Sequence, residues 1–239
     1  MVESDAISRR CDLHIMNIYL EIGQKRIFAC AADWFGWCRS GRSAEAAIQA
    51  LFDSAPRYAA ILHAFQLDFE PPASAQAFNV VEQLPGNATT DFGAPDAIPE
   101  IDRVDMGGID LVRIKALFLA YWAAFDATVA NATGKELRKG PRGGGRDLED
   151  IVQHVIEADS GYLRRLTRKT TRDKKAPQQA QLAQLRQDIR DALDWAYQGH
   201  LPERGPRGGR IWPPRYFVRR SAWHTLDHIW EIEDRVVYK

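Results

Sequence analysis

From residue 105 onward the apolar residues of this chain recur every three or four positions, and that spacing constrains the fold more than any other feature. Leu111, Ile114, Phe118, Tyr121 and Phe125 step by 3, 4, 3 and 4, which places them on one helix face. Leu148, Ile151, Val155 and Tyr162, with the smaller Ala158 between, make a second stripe. Leu182, Leu185, Ile189 and Leu193 make a third, and a fourth helix is expected from about Arg215 to Val237. Four such helices within residues 105–239 predict an all-α four-helix bundle.

The preceding residues follow another rule. "LHIMNIYLEI" (13–22) partly alternates and is rich in β-branched types, "GQK" supplies a turn, and "RIFACAA" reads as a returning strand. "SAEAAIQALF" follows as a helix with Ser43 as N-cap and Glu45 in its first turn. "APRYAAILHAF" is a second helical piece that tolerates Pro56 near its start, and "AFNVVEQL" (77–84) is another strand. These elements predict a small ββα-type α+β domain over residues 1–84. "PGNATTDFGAPDAIPE" then concentrates prolines and glycines with little apolar content, so residues 85–104 read as a linker. The expected architecture is an α+β chain of two domains. Charge supports the division: 7 Lys+Arg stand against 11 Asp+Glu up to residue 95, and 25 against 21 beyond it.

A formal net charge of +0 gives no general pull toward nucleic acid or acidic membranes. No apolar run approaches the ~20 residues of a membrane span, and "MVESDAISRR" lacks the apolar core of a signal peptide. Cys11, Cys30 and Cys38 are odd in number and show no metal-type pairing, so reduced thiols in a cytoplasmic protein are expected.

Among the six histidines, His224 and His228 in "SAWHTLDHIWEIEDR" are four apart and can present both rings to one point. Taken alone, such a pair suits a metal or a packed helix interface. His154, in "DIVQHVIEADSGYLRRL", borders the apolar stripe of its helix and can point toward the bundle axis. Two imidazoles from one helix and one from another suit Zn, Ni, Fe or Cu, with coordination positions left for water or substrate. His14, His63 and His200 read as structural or surface residues.

"GGGRDLEDIVQHVIEADSGYLRRL" and "RYFVRRSAWHTLDHIWEIEDR" resemble the two signature helices of the DinB-like (DinB/YfiT) superfamily, over roughly residues 100–239. The resemblance implies a four-helix bundle that holds a divalent metal through three histidines, matched here by His154, His224 and His228. It further implies a metal-dependent enzyme acting on a small molecule. Some relatives are S-transferases that use a low-molecular-weight thiol, with the metal lowering the thiol pKa; a metal-activated water would make a hydrolase instead. Glu157 and Glu231 are the candidate proton acceptors or partners to a ligand imidazole, and each equally suits a surface salt bridge. "YLEIGQKRIFACAADWFGWCRSGRSAEAAIQAL" is more loosely similar to the HicB-like antitoxin pattern, without a DNA-binding segment. That similarity implies a role in homodimerisation or in covering the bundle. Its aromatic cluster, Trp34, Phe35 and Trp37, suits such a contact or the core of the small domain.

Two glycine-rich segments, "GPRGGGR" (140–146) and "GPRGGR" (205–210), each precede a histidine-bearing helix. In an up-down-up-down bundle, Arg142, Arg146, Arg207 and Arg210 would form one anion-binding rim; a long crossover, which residues 133–146 are long enough to make, would separate them, and as plain connectors they need no ligand. Three function classes follow: a DinB-type metalloenzyme, a non-catalytic protein-binding module whose metal braces the bundle, and a nucleic-acid binder. Overall neutrality and the lack of aromatic residues in the arginine loops disfavour the last.

Overall fold

The computed structural model describes residues 15–139 and 145–237, apart from the side chain of Arg207. The fold is mixed: a four-stranded sheet at the N-terminal side, then helices. The first half runs β1 (Met16–Ile22), β2 (Ile27–Ala31), β3 (Cys38–Gly41), α1 (Ala44–Asp53), α2 (Ala55–His63) and β4 (Phe78–Pro85). The sheet order is β3-β2-β1-β4, antiparallel except for β1 and β4, whose parallel pairing requires the crossover that α1 and α2 supply. Ser43 caps α1 as expected, its hydroxyl accepting from the Ala46 amide at 3.2 Å. The three strands expected from the sequence are β1, β2 and β4, and the expectation falls one strand short. β3 hides inside "DWFGWCRSGR", where four residues among turn formers give no readable period.

Cys30 and Cys38 are joined in a disulfide, which corrects the expectation of reduced thiols. The cause is the register: the two residues stand opposite each other on β2 and β3, with Cα atoms 4.1 Å apart. Cys11 lies outside the described residues.

Residues 85–104 fold onto the sheet. Asn87 caps the short helix α3 (Ala88–Phe92), and Glu21 of β1 is fully buried beneath this segment. Its carboxylate accepts from the Thr90 hydroxyl at 2.5 Å and from the amides of Asp96 and Ala97 at 2.9 Å. Asp102 is equally buried and receives a two-point contact from Arg219, at 2.6 and 2.8 Å. The same guanidinium donates to the carbonyls of Ala31 and Ala32 at the end of β2.

The long helices are α4 (Gly108–Ala132), α5 (Leu148–Leu163), α6 (Gln178–Tyr197) and α7 (Pro214–Arg235). α4 packs on α6 and α7, and α5 packs on the same two. Arg215 of α7 meets Asp110 of α4 at their N-terminal ends, while Leu137 and Val236 bridge beyond their C-terminal ends, so these helices are parallel. Gln178 at the start of α6 donates to the Glu149 carbonyl near the start of α5. The segment 167–177 therefore returns along α5. The predicted faces of α4 and α6 are buried as expected; on α5, Ile151 and Val155 are buried, and Leu148 and Tyr162 only partly.

Most buried residues of sheet and helices merge into one large cluster, and Tyr19, Phe28, Cys30, Cys38 and Trp223 form a second, smaller one. Trp37 stacks on Tyr58 with centroids 5.1 Å apart, and the Tyr58 hydroxyl lies 2.7 Å from that of Tyr121 on α4. Tyr121 donates onward to the Phe35 carbonyl at 2.8 Å, so Tyr58 is the donor to Tyr121. The aromatic cluster is thus core, and it joins the N-terminal elements to α4.

Gly36 sits where the 32–37 turn meets α7. Its φ is +87°, and a Cβ there would lie 2.7 Å from backbone and side-chain carbons of Ala222. Gly36→Ala is expected to cost about 2–4 kcal/mol, from the left-handed backbone and the overpacking together. Urea unfolding monitored by circular dichroism checks the value.

Candidate metal centre

α7 has 16 buried residues of 22, spread around its circumference, so it is a central helix rather than an amphipathic one. That removes the question of which stripe faces inward. His224 and His228 lie where α7 meets α5, and His154 comes from α5, two turns after its N-cap Asp147. The Nε2 of His224 lies 3.1 Å from Nε2 of His154 and 3.2 Å from Nε2 of His228. All three candidate ligand atoms fall within 4.8 Å of one another.

Those separations fit a shared ion. Two nitrogens each about 2.1 Å from one metal stand roughly 3.0–3.4 Å apart for angles of about 90–109°. Protonation points the same way. His228 Nδ1 lies 2.7 Å from Glu231 Oε2, an arrangement that places its proton on Nδ1 and leaves the Nε2 lone pair toward the cluster. His224 Nδ1 is buried without a partner, so hydrogen bonds alone leave this ring unsatisfied. Burial, then the neighbouring His228 and His154, hold His224 well below the usual histidine range. Burial, then Arg146, lower His154 in the same direction. Both rings are neutral at pH 7, the state in which imidazole binds metal. No Cys, Asp or Glu among the described residues joins the three as a fourth ligand.

Glu231 is braced by Arg235, which donates to its other oxygen at 2.5 Å. Burial raises its pKa, but the bond from His228 and the contact with Arg235 outweigh that and hold it below the ordinary glutamate value. Arg235 also donates to the carbonyls of Arg138 and Arg146, which fixes the end of α7 against the chain that enters α5. Glu157 behaves differently. It is exposed on α5, accepts from Gln153 at 2.9 Å and is not among the three converging groups.

Among the described residues, Arg146 and Arg210 do not share one rim. Arg146 belongs to the connection at the C-terminal end of α4, whereas 205–210 lies at the opposite ends of the helices, near Arg165, whose carbonyl accepts from the Trp212 amide. The separation follows from the return of 167–177 along α5, which makes α5 and α6 parallel. Arg210 is exposed; Arg142 and the side chain of Arg207 lie outside the described residues. His63 donates to or accepts from its local partner, the Phe69 carbonyl at 3.0 Å, away from the centre.

Several neighbours of the site were not singled out by the sequence. Tyr162, counted above as a stripe residue, presents its ring to His224 with centroids 5.7 Å apart. Arg220 lies over both Tyr162 and Trp223. Asp227 is different: its place between the two histidines of α7 already sets it off their face, and it turns away toward Arg39, 3.8 Å distant. Asp159 is buried, accepts from the Ser221 hydroxyl at 2.8 Å, and is pushed by burial up to about 7. It stands five residues from His154, a separation that does not share a helix face, so the spacing offered no signal for it.

Asp159 sets a pH dependence with a definite sign. An acid whose folded pKa is raised contributes stability at low pH that is lost as pH rises from its unfolded value near ~4 through about 7. Between pH 5 and pH 8 the wild type is expected to lose roughly 1–3 kcal/mol relative to Asp159→Asn. Denaturant titrations of both proteins across that range measure the difference, and parallel curves would refute it.

No family model, no curated protein and no solved structure matches the chain.

Proposed function

We propose that residues 105–237 are a four-helix bundle of DinB-like type and that His154, His224 and His228 hold a catalytic divalent metal. The bundle reading rests on the closed ring of helix pairs, α4 with α7, α7 with α5, α5 with α6 and α6 with α4. The catalytic reading rests on one observation: three imidazole nitrogens converge with no fourth protein ligand among the described residues. A site closed by four protein ligands is the usual structural arrangement; three leave room for a reacting group.

The reaction best supported is thiol-dependent S-transfer to a small electrophile. A bound Zn, Ni or Fe ion supplies Lewis acidity that favours thiolate over thiol near neutral pH. The sulfur forms a bond to the electrophilic carbon, the carbon–halide bond of a model substrate breaks, and the thiol proton leaves to solvent. Glu231 is committed to His228 and Arg235, so it orients a ligand and is not free to abstract that proton. The partial exposure of His154 gives the thiol a side from which to enter.

The test uses the full chain reconstituted with Zn, Ni or Fe in turn, a panel of low-molecular-weight thiols and an aryl halide. Thioether formation well above the metal-free rate, and lost in His228→Ala, supports the reading. Metal retention without turnover for any thiol would instead favour the bracing role, in which the ion ties α5 to α7 within a protein-binding module.

A further inference from the structure

α4 raises a question independent of the metal centre. Its inward residues fill the core, yet its outward residues are apolar too: Ile109, Val112, Ala116, Leu119, Ala123 and Ala127 step by 3, 4, 3, 4 and 4. Ile109 is 88% exposed, Val112 71% and Leu119 47%. Every charged residue of α4 is drawn to a flank. Asp110 pairs with Arg215, Lys115 with Asp194, and Asp126 with Arg186, while Arg113 lies over Trp34. The outward strip therefore carries no charge. A helix that is apolar all round in a water-soluble setting calls for a partner on its open side.

The strip is graded. Its N-terminal end carries the large residues Ile109 and Val112, Leu119 stands near the middle, and its C-terminal end carries only the alanines Ala123 and Ala127. Ala123 and Ala127 form one wall of a 420 Å³ hollow, closed on the other side by Ala60 and Ile61 of α2 and by Ala64 and Phe65 just beyond it, with Arg57 and Glu233 also in its lining. Phe65 is itself 42% exposed at that wall. An antiparallel copy of α4, turned about a two-fold axis near residue 118, sets Ile109 against Ala127 and Val112 against Ala123. Each copy then inserts its large pair into the hollow of the other.

We propose that this face is the interface of an isologous homodimer, with a second copy of this chain as its occupant. The available area agrees. Covering the strip and Phe65 would remove roughly 600 Å² per copy, about 1,200 Å² in all, the lower end for a specific interface. The helix dipoles oppose each other in the antiparallel arrangement, and the two charged residues lining the hollow, Arg57 and Glu233, are already paired with each other.

Sedimentation equilibrium of the full chain tests this. The wild type is expected at twice its 27.0 kDa chain mass. Val112→Glu and Ala127→Glu, both at exposed positions, are each expected to weaken self-association at least about 100-fold. Unchanged far-ultraviolet circular dichroism and metal content would show that the variants remain folded. A wild type that remains at one chain mass near ~100 μM overturns the proposal, as does a dimer that persists in both folded variants.

Discussion

Purified without an affinity tag, the wild-type chain is expected to retain close to one equivalent of divalent metal, and His224→Ala almost none. His224 occupies the middle of the set, its Nε2 within 3.2 Å of both other Nε2 atoms, so its loss leaves His154 and His228 without the ring between them. Elemental analysis reads the result directly. Glu231→Gln should be milder, costing 10- to 100-fold in affinity by chelator competition, because it weakens the partner that holds the His228 tautomer. Glu157→Gln should change nothing, since that carboxylate is exposed and hydrogen-bonded to Gln153. Equal metal content in wild type and His224→Ala would remove the metal centre from consideration.

The largest loss of stability is expected from Asp102→Ala. Arg219 is buried, and its charge is balanced by Asp102. Removing one partner of a buried pair typically costs about 3–5 kcal/mol, because the other charge stays behind in a poor dielectric. For a chain of this size that corresponds to a fall of roughly 10 °C or more in melting temperature. Arg57→Ala provides the control. Its contacts with Glu233 and Asp234 are at the surface, where such pairs contribute at most about 1 kcal/mol. Calorimetry of the two variants separates the cases, and a similar small shift in both would show that the Arg219 contact is not what joins α7 to the sheet.

Periodic features were the most legible. The stripes of α4 and α6 are seen in the sequence because side chains three and four apart share a face, and burial bears both out. The convergence of His154 on α7 was also expected from its place beside the α5 stripe. What escaped was local or long-range. β3 is too short to show a period, and α3 is built from a capping box within a run of turn residues. Asp102 looked like one acid among many in a linker, because its partner lies 117 residues away. The Cys30–Cys38 bond depends on β2–β3 register, which cysteine counting does not contain. Helix direction was equally hidden: the return of 167–177 along α5 follows from packing and separates the two arginine segments.

The central position of α7 has a consequence for synthesis on the ribosome. The groups that α7 packs against come from earlier in the chain: the carbonyls of Ala31 and Ala32, the carboxylate of Asp102, the histidine of α5 and the core face of α4. Until residues 214–235 leave the exit tunnel, the nascent chain holds a sheet and three long helices around an open groove, with Asp102 lacking its cation. Folding unit by unit from the N-terminus cannot finish in that state. The emerging polypeptide should therefore depend on chaperones until α7 arrives, and a stall before residue 214 should leave a species prone to aggregate.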